Sequence, residues 1–219
     1  MNIASNIKKF TSELGPEISL VAISKTKPYD AVMQAYEAGH RIFGENKIQE
    51  MTDKWENLPK DIEWHMVGHV QTNKVKYMAP FVSLVHAVDS LKLLKEINKE
   101  AKKNDRIINC LLQIKIAEEE SKFGIAAVEA REILNSAQYK EMENVKVTGL
   151  MGMATFTDNE TQVKKEFQYL KTVFDDLKKD NSSLNTLSMG MSGDYELAME
   201  CGSNMVRIGS SIFGERDYN

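Results

Sequence analysis

The alternation of short apolar segments with helical segments is the feature that most constrains the fold of this chain. Eight short apolar segments have the length of buried strands, the first of them rich in β-branched residues, and residues at helical spacing lie between them. The first strand is predicted from Ile18 to Ile23, and the eighth begins at Asn204. Strands that alternate with helices form parallel sheets. Eight such units predict an α/β protein with a single (β/α)8 TIM-type barrel, one domain over residues 1–219.

An open doubly wound sheet is the main alternative to the barrel. Such sheets often carry a Gly-x-Gly-x-x-Gly motif after the first strand, and none follows Ile23. An extra helix precedes the first strand, because apolar residues recur at helical spacing before Gly15. Later in the chain, Thr157 and Glu160 stand at capping-box spacing and predict the start of a long helix.

Composition narrows the class of function. The 219 residues include 28 Lys and Arg against 32 Asp and Glu, a net charge of -4 without a basic run, so nucleic acid is not an expected partner. Neither Cys110 nor Cys201 has the spacing of a metal knuckle or a disulfide framework. No stretch approaches the roughly 18 apolar residues of a membrane span, and the amphipathic N-terminal segment lacks the apolar core of a signal peptide. These features predict a soluble cytoplasmic protein.

A lysine follows the first strand at a position suited to covalent chemistry. In a parallel barrel, the carboxyl ends of the strands meet at one mouth, where Lys25 is expected to lie. Apolar neighbours make it easier for a lysine to lose its proton, as an imine-forming amine must. The alternative is that Lys25 and Lys27 are ordinary surface cations. Lys27 precedes Pro28 and is expected to point away from the mouth.

Two glycine-serine pairs predict an anion site at the same mouth. Ser192-Gly193 follows the seventh strand and Gly209-Ser210 follows the eighth. The loops after these two strands commonly bind phosphate in such barrels, through hydroxyl and backbone N–H groups. Each pair could also be a simple turn.

Arg207 is unusual because it lies inside an apolar strand. A buried guanidinium is costly unless it meets a partner, either a ligand atom or a carboxylate such as Glu45. His65 and His69 would form a metal-binding pair only on a helix, and their segment is predicted as a strand and its turn. No metal site is therefore predicted.

Six segments along nearly the whole chain resemble, in order, the motifs of the pyridoxal phosphate homeostasis protein family (YggS/PROSC). They are Ala22 to Pro28, Phe43 to Asn46, His65 to Lys74, Ser121 to Gly124, Ser188 to Asp194 and Arg207 to Gly214. This resemblance implies pyridoxal 5'-phosphate (PLP) as the cofactor. It also implies a fold-type III barrel, like the N-terminal domain of alanine racemase.

The resemblance also implies roles for individual residues. It implies that Lys25 holds PLP as an imine and that Arg207 lies near the pyridine nitrogen. The implied phosphate ligands are Ser192, Gly209 and Ser210. Asn46 and Asn73, at the second and third strand outlets, are expected hydrogen-bond partners of the imine or the ring oxygen. Lys122, in the fifth outlet loop, is a candidate second amine or a solvated lysine.

The function expected on this basis is a PLP carrier in intracellular PLP homeostasis, with no catalytic residues and with apo PLP-dependent enzymes as partners. A monomer is expected, because no contiguous exposed apolar stretch remains after the barrel assignment. The alternative is a PLP-dependent amino-acid racemase, which needs a second acid or base that alanine racemase takes from a separate domain. The sequence ends at Asn219, just after the eighth unit, so no such domain is expected and efficient racemisation is disfavoured. His65 or Tyr195 could still give trace turnover. A Schiff-base aldolase acting on sugar phosphates is a third hypothesis.

Overall fold

The computed structural model describes residues 2–119 and 123–215 of the chain. Eight parallel strands form a closed barrel in sequence order, and β8 pairs with β1 to close it. The strands are β1 (Ser19–Ile23), β2 (Ile42–Glu45), β3 (Glu63–Met66), β4 (Leu84–Val88), β5 (Ile108–Gln113), β6 (Val145–Met151), β7 (Thr186–Met191) and β8 (Met205–Ile208). The predicted (β/α)8 barrel is confirmed.

Helices surround this barrel and bury its outer face. They are α1 (Ile3–Leu14), α2 (Tyr29–Glu37), α3 (Ile48–Asn57), α4 (Val75–Met78), α5 (Leu91–Lys103), α6 (Ala127–Asn135), α7 (Ala137–Lys140), α8 (Glu160–Asp180), α9 (Tyr195–Glu200) and α10 (Ser210–Phe213). Successive side chains of a strand point to opposite faces, so each strand contributes both to the barrel interior and to the helix interface. Val21, Leu111, Met151 and Met205 belong to the small apolar cluster that is separate from the main core between barrel and helices.

The extra N-terminal helix predicted from sequence is α1. The side chain of Asn2 caps it by accepting a hydrogen bond from the N–H of Ser5 at 3.0 Å. Its apolar face is buried, and the helix packs against α2 and α10. Asn6 Nδ2 also donates to the Ile212 carbonyl at 3.0 Å, which ties the start of the chain to the segment after β8.

The predicted capping box of the long helix α8 is wrong. The helix begins at Glu160, and the side chain of Asn159 caps it by accepting from the N–H of Gln162 at 3.2 Å. Thr157 lies two residues before this cap, and its Oγ1 instead accepts from the N–H of Asn159. Asparagine is among the strongest N-cap residues, so it takes the position nearer to the first turn.

Two predicted strands end earlier than expected. The apolar pattern of the sequence predicts strands from Glu63 to His69 and from Ile107 to Ile116. In the structure β3 stops at Met66 and β5 stops at Gln113. Beyond β5, Ile114 forms only an isolated bridge with Ile125. The chain therefore leaves the sheet early at both places, and the apolar residues that follow line the mouth or pack under its loops.

Candidate functional site

A cavity of about 420 Å³ lies at the carboxyl ends of the strands. Six of the residues predicted to bind the cofactor line it: Lys25, Asn46, Ser192, Arg207, Gly209 and Ser210. Apolar side chains form much of the remaining wall: Ile23, Val67, Phe123, Met153 and Met191. Barrel closure explains this convergence, because it brings the outlets of β1, β2, β7 and β8 to one mouth.

The charges that line the cavity are all positive among the residues that the structure describes. Lys25, Lys27 and Arg207 line it, and no Asp or Glu of the described ranges does. Lys27 was expected to point away from the mouth, but it is a lining residue whose Nζ donates to the Glu215 carbonyl at 2.7 Å. A cavity with this lining favours an anionic ligand.

Arg207 is buried at the floor of this cavity, and neutral groups accept its hydrogen bonds. Its Nη1 donates to Ser188 Oγ at 2.6 Å and its Nη2 donates to the Gly152 carbonyl at 3.0 Å. These contacts use two of the five N–H donors of a guanidinium. Burial lowers the pKa of Arg207 to about 10, with Asp194 acting in the opposite direction, so the side chain stays charged at neutral pH.

A row of buried polar side chains continues from Arg207 across the barrel interior. Ser188 Oγ lies 3.1 Å from His86 Nδ1, and His86 Nε2 lies 3.1 Å from His65 Nδ1. Burial lowers the pKa of His65 to about 3 and the pKa of His86 well below its usual range, which keeps both rings neutral. We call Arg207, Ser188, His86 and His65 the arginine cluster.

Sequence reasoning missed Ser188 and His86 as members of this cluster. Their only signal is that each is a polar residue inside an otherwise apolar strand, β7 and β4 respectively. Glu45, suggested as a carboxylate partner for Arg207, is instead paired with Lys54 on α3 at 2.7 Å. The alternation of the strand explains this, because Glu45 at the end of β2 faces the helix layer, whereas Arg207 faces the barrel interior.

The outlets of β7 and β8 form one wall of the cavity. The N–H of Gly209 donates to Ser192 Oγ at 3.2 Å, which joins the two loops. A Cβ atom on Gly209 would lie 3.2 Å from Ile23 Cβ, so the absence of a side chain lets this loop pack against the end of β1. Ser210 starts α10, and the first N–H groups of a helix have no partner within the helix.

The third strand outlet differs from the sequence expectation. Asn73 belongs to a 3-10 turn, Thr72–Lys74, and lines a separate surface hollow with Lys92 and Glu96. His69, considered above only as half of a metal-binding pair, lines the cavity, stacks on Phe123 and lies 3.4 Å from Asp89. Lys122 lies outside the described residues.

The acid-base candidates of the racemase hypothesis lie away from the cavity. His65 belongs to the arginine cluster, buried in the barrel interior. The hydroxyl of Tyr195 donates to Glu13 Oε1 at 2.7 Å, on the side of the barrel that α1 covers. Burial and this carboxylate raise the pKa of Tyr195.

The described part of the chain holds neither a membrane-spanning helix nor a cluster of metal-binding side chains. No helix within residues 2–119 and 123–215 is long and apolar enough to cross a bilayer. Nor do those ranges hold a group of three or more His, Cys, Asp or Glu side chains placed to bind a metal ion.

Comparison with known proteins identifies the family. Residues 1–217 match the family described as "Alanine racemase, N-terminal domain". The "Pyridoxal phosphate homeostasis protein" of Aquifex aeolicus is 40% identical over 201 residues, covering 91% of this chain and 87% of that protein. The protein of the same name from Helicobacter pylori is 41% identical over 202 residues, with 90% and 88% covered. This chain belongs to the pyridoxal phosphate homeostasis protein family.

Solved structures agree with this family and fold. PipY of Synechococcus elongatus PCC7942, solved with PLP bound, has a TM-score of 0.88 and 31% identity, covering 97% of this chain and 100% of that chain. Alanine racemase of Clostridium difficile 630 has a TM-score of 0.80 at 16% identity, covering 100% of this chain and 57% of that chain. The racemase likeness concerns the fold alone. The predicted family is confirmed, and PLP is present in the solved structure of a family member.

Proposed function

We propose that this protein binds PLP in the cavity at the barrel mouth, holds it as an imine on Lys25 and acts in cofactor supply rather than in efficient catalysis. The observation that carries the proposal is the cavity lining, which combines a strand-end lysine with a described lining free of carboxylates. The Lys25 amine would condense with the aldehyde that PLP supplies, forming a C=N bond and releasing one water. The reaction is reversible, which suits a carrier.

The residues around the cavity fit the parts of PLP. Ser192, Gly209 and Ser210 offer hydroxyl and backbone N–H groups to the phosphate, at the two outlets that such barrels use for it. The apolar wall suits the pyridine ring, and Arg207 suits the ring nitrogen as a donor. Asn46 is the candidate hydrogen-bond partner of the imine or the ring oxygen.

Arg207 also supports a role other than catalysis. A guanidinium that stays charged at neutral pH donates a hydrogen bond but does not readily give up its proton. A ring nitrogen beside it therefore stays unprotonated, and an unprotonated ring withdraws electrons from a substrate carbanion less effectively. The positions of His65 and Tyr195 outside the cavity further disfavour racemisation.

The direct test of this proposal is an absorption spectrum of the purified protein with PLP, before and after borohydride reduction. We expect a visible imine band that reduction removes, and peptide mapping should find the reduced adduct on Lys25. A protein that remains colourless and unlabelled would overturn the proposal. Strong formation of D-alanine from L-alanine would favour the racemase, and competition by sugar phosphates for Lys25 would favour the aldolase.

Variants identify which lysine carries the cofactor. Lys25→Ala should abolish the imine band and leave the fold intact, whereas Lys27→Ala should leave the band nearly unchanged. A full band in Lys25→Ala that disappears only when Lys27 or Lys122 is also replaced would show that another lysine is the attachment site. Ser192→Ala and Ser210→Ala should weaken cofactor retention by about 1 to 3 kcal/mol each without preventing imine formation.

The cellular setting is part of the same proposal. We assign the protein to the cytoplasm, where reduced thiols persist, because Cys110 and Cys201 are both unpaired and buried. We further propose a monomer that passes PLP to apo PLP-dependent enzymes. Light scattering of the purified protein tests the oligomeric state, and activation of an apo-enzyme by the loaded protein, with free PLP trapped, tests the transfer.

A further inference from the structure

The turn that carries Lys25 has an unfavourable backbone conformation. Ser24 to Lys27 form a turn in which the Lys27 N–H donates to the Ser24 carbonyl at 3.0 Å, so Lys25 is its second residue. Thr26, the third residue, has a φ of 64°. This position normally takes Gly or Asn, and a β-branched residue is rare there. Contacts from elsewhere must therefore hold the turn.

One buried ammonium supplies the first of these contacts. Lys54 Nζ, from α3, donates to the Ser24 carbonyl at 2.7 Å, to Glu45 Oε1 at 2.7 Å and to Glu50 Oε1 at 2.8 Å. These contacts use all three donors of the ammonium. Its side chain is only 3% exposed. We call Ser24, Glu45, Glu50 and Lys54 the lysine cluster.

The two carboxylates of the lysine cluster hold the residues on either side of Lys25. The hydroxyl of Ser24 donates to Glu45 Oε1 at 2.6 Å. The N–H of Thr26 donates to Glu50 Oε1 at 2.6 Å. Lys54 lies between both carboxylates, so removing it would loosen the turn on both sides at once.

The cluster is a poor arrangement for stability alone. Buried ion pairs often contribute little net stability, because desolvation offsets their attraction. In addition, Glu45 Oε2 is buried and has no hydrogen-bond partner among the described residues. A strained turn, held by costly buried charges beside a cavity, is typical of a functional site.

We propose that Lys54 is a positioning residue for Lys25, acting with Glu45 and Glu50 to hold the strained turn that directs the Lys25 amine into the cavity. This inference rests on the proposed function, since it concerns the bond between Lys25 and PLP. It goes beyond that function because none of the three residues lines the cavity. Lys54 holds the Ser24 carbonyl, Glu50 holds the Thr26 N–H and Glu45 holds the Ser24 hydroxyl.

The test compares two ligands that differ only at the reacting carbon. PLP carries an aldehyde, whereas pyridoxine 5'-phosphate carries an alcohol and cannot form an imine, although it offers the same ring and phosphate. In Lys54→Met, we expect the apparent dissociation constant for PLP to rise about tenfold or more, as for the loss of a hydrogen bond to a charged group. The dissociation constant for pyridoxine 5'-phosphate should stay within about twofold of wild type, because its contacts remain.

Further variants separate positioning from folding. Glu50→Gln keeps an acceptor but loses its charge, and we expect about threefold weaker PLP binding, because charge-assisted hydrogen bonds are about twice as strong as neutral ones. Adding Thr26→Gly should restore most of this loss, since glycine adopts a positive φ without strain. Glu56→Gln makes the same chemical change on an exposed side chain of α3 and should leave the dissociation constants of both ligands unchanged.

The outcomes are distinct. Equal losses for both ligands in Lys54→Met, or unchanged PLP binding, would overturn the positioning role. If Lys54→Met does not fold, the pair Glu50→Gln and Glu50→Gln with Thr26→Gly decides the question, and failure of glycine to restore PLP binding would overturn the inference. Absence of an imine band in the wild-type protein would overturn the proposed function itself.

Discussion

The lysine cluster and the arginine cluster are both buried beside the same cavity, but they treat their cation in opposite ways. Lys54 is surrounded by two carboxylates, Glu45 and Glu50, between the barrel and α3. Arg207 lies in the barrel interior and donates to a hydroxyl and a carbonyl. Carboxylates balance the charge of Lys54, whereas the groups that accept hydrogen bonds from Arg207 are neutral.

This difference follows from what each cation contacts. Lys54 does not line the cavity. Its ammonium donates to two carboxylates and to the Ser24 carbonyl, and these three short contacts hold a backbone turn. Arg207 lines the cavity, and neutral partners orient it without cancelling its charge. A buried cation can thus be held in place by groups that leave its field available to a ligand.

The two clusters should also respond to pH in opposite directions. Burial raises the pKa of Glu45 to about 7, despite the nearby ammonium of Lys54. Burial lowers the pKa of His65 to about 3. The folded protein therefore retains a proton on Glu45 that the unfolded chain releases, and excludes a proton from His65 that the unfolded chain binds.

The largest expected effect comes from removing the two cations in turn. Lys54→Met should lower the free energy of unfolding by about 3 to 5 kcal/mol at pH 8, because Glu45, Glu50 and the Ser24 carbonyl all lose the buried ammonium that donates to them. Arg207→Met should cost less than about 2 kcal/mol, because the Ser188 hydroxyl and the Gly152 carbonyl that accept its hydrogen bonds are neutral. Urea unfolding of both variants in one buffer measures the difference. An equal or larger cost for Arg207→Met would show that the comparison is wrong.

The next effect is the pH dependence of the lysine cluster. The pKa of Glu45 is about 7 in the folded protein, against 4.5 for an ordinary glutamate, so its contribution should lower stability by about 3 kcal/mol as pH rises from 4.5 to 7. Glu45→Gln should remove this loss from the curve of unfolding free energy against pH. Glu56→Gln, on an exposed side chain, serves as the control and should leave the curve unchanged. A wild-type curve identical to that of Glu45→Gln would contradict the prediction.

The arginine cluster should give a somewhat smaller effect in the opposite direction. His65 stays neutral in the folded protein, so stability should fall by about 2 kcal/mol as pH drops from 6.5 to 5. His65→Gln should flatten this acid limb, and replacing His86 as well should flatten it further. His69→Gln, at a half-exposed side chain, should keep the wild-type slope. A slope unaffected by His65→Gln would rule out this origin for the acid sensitivity.

The smallest expected effect concerns the link within the arginine cluster. Ser188 Oγ joins Arg207 to His86, and Ser188→Ala should lower the free energy of unfolding by about 1 kcal/mol through lost hydrogen bonds. Both histidines remain in this variant, so the acid limb of the stability curve should keep its slope. A flattened limb would mean that Ser188, rather than burial, sets the protonation of the histidine pair.

Much of the fold could be predicted because its signals are local. The period of apolar residues along each segment distinguishes a strand from a helix within about a dozen residues, and α1 ends just before Gly15, as the sequence predicts. The early end of β3 and the cap at Asn159 could not be predicted, because neighbouring groups compete for the same backbone positions. Such competition depends on packing.

The sequence by itself determined the alternation of strands and helices, the family motifs, and the order in which Lys25, Ser192, Arg207 and Ser210 reach strand outlets. Only the tertiary structure decided which buried groups pair. Glu45 meets Lys54 rather than Arg207, and Arg207 reaches His86 through Ser188. The physical reason is that closing the barrel brings together residues that are far apart in sequence, while the pleat of each strand decides which side chains face inward.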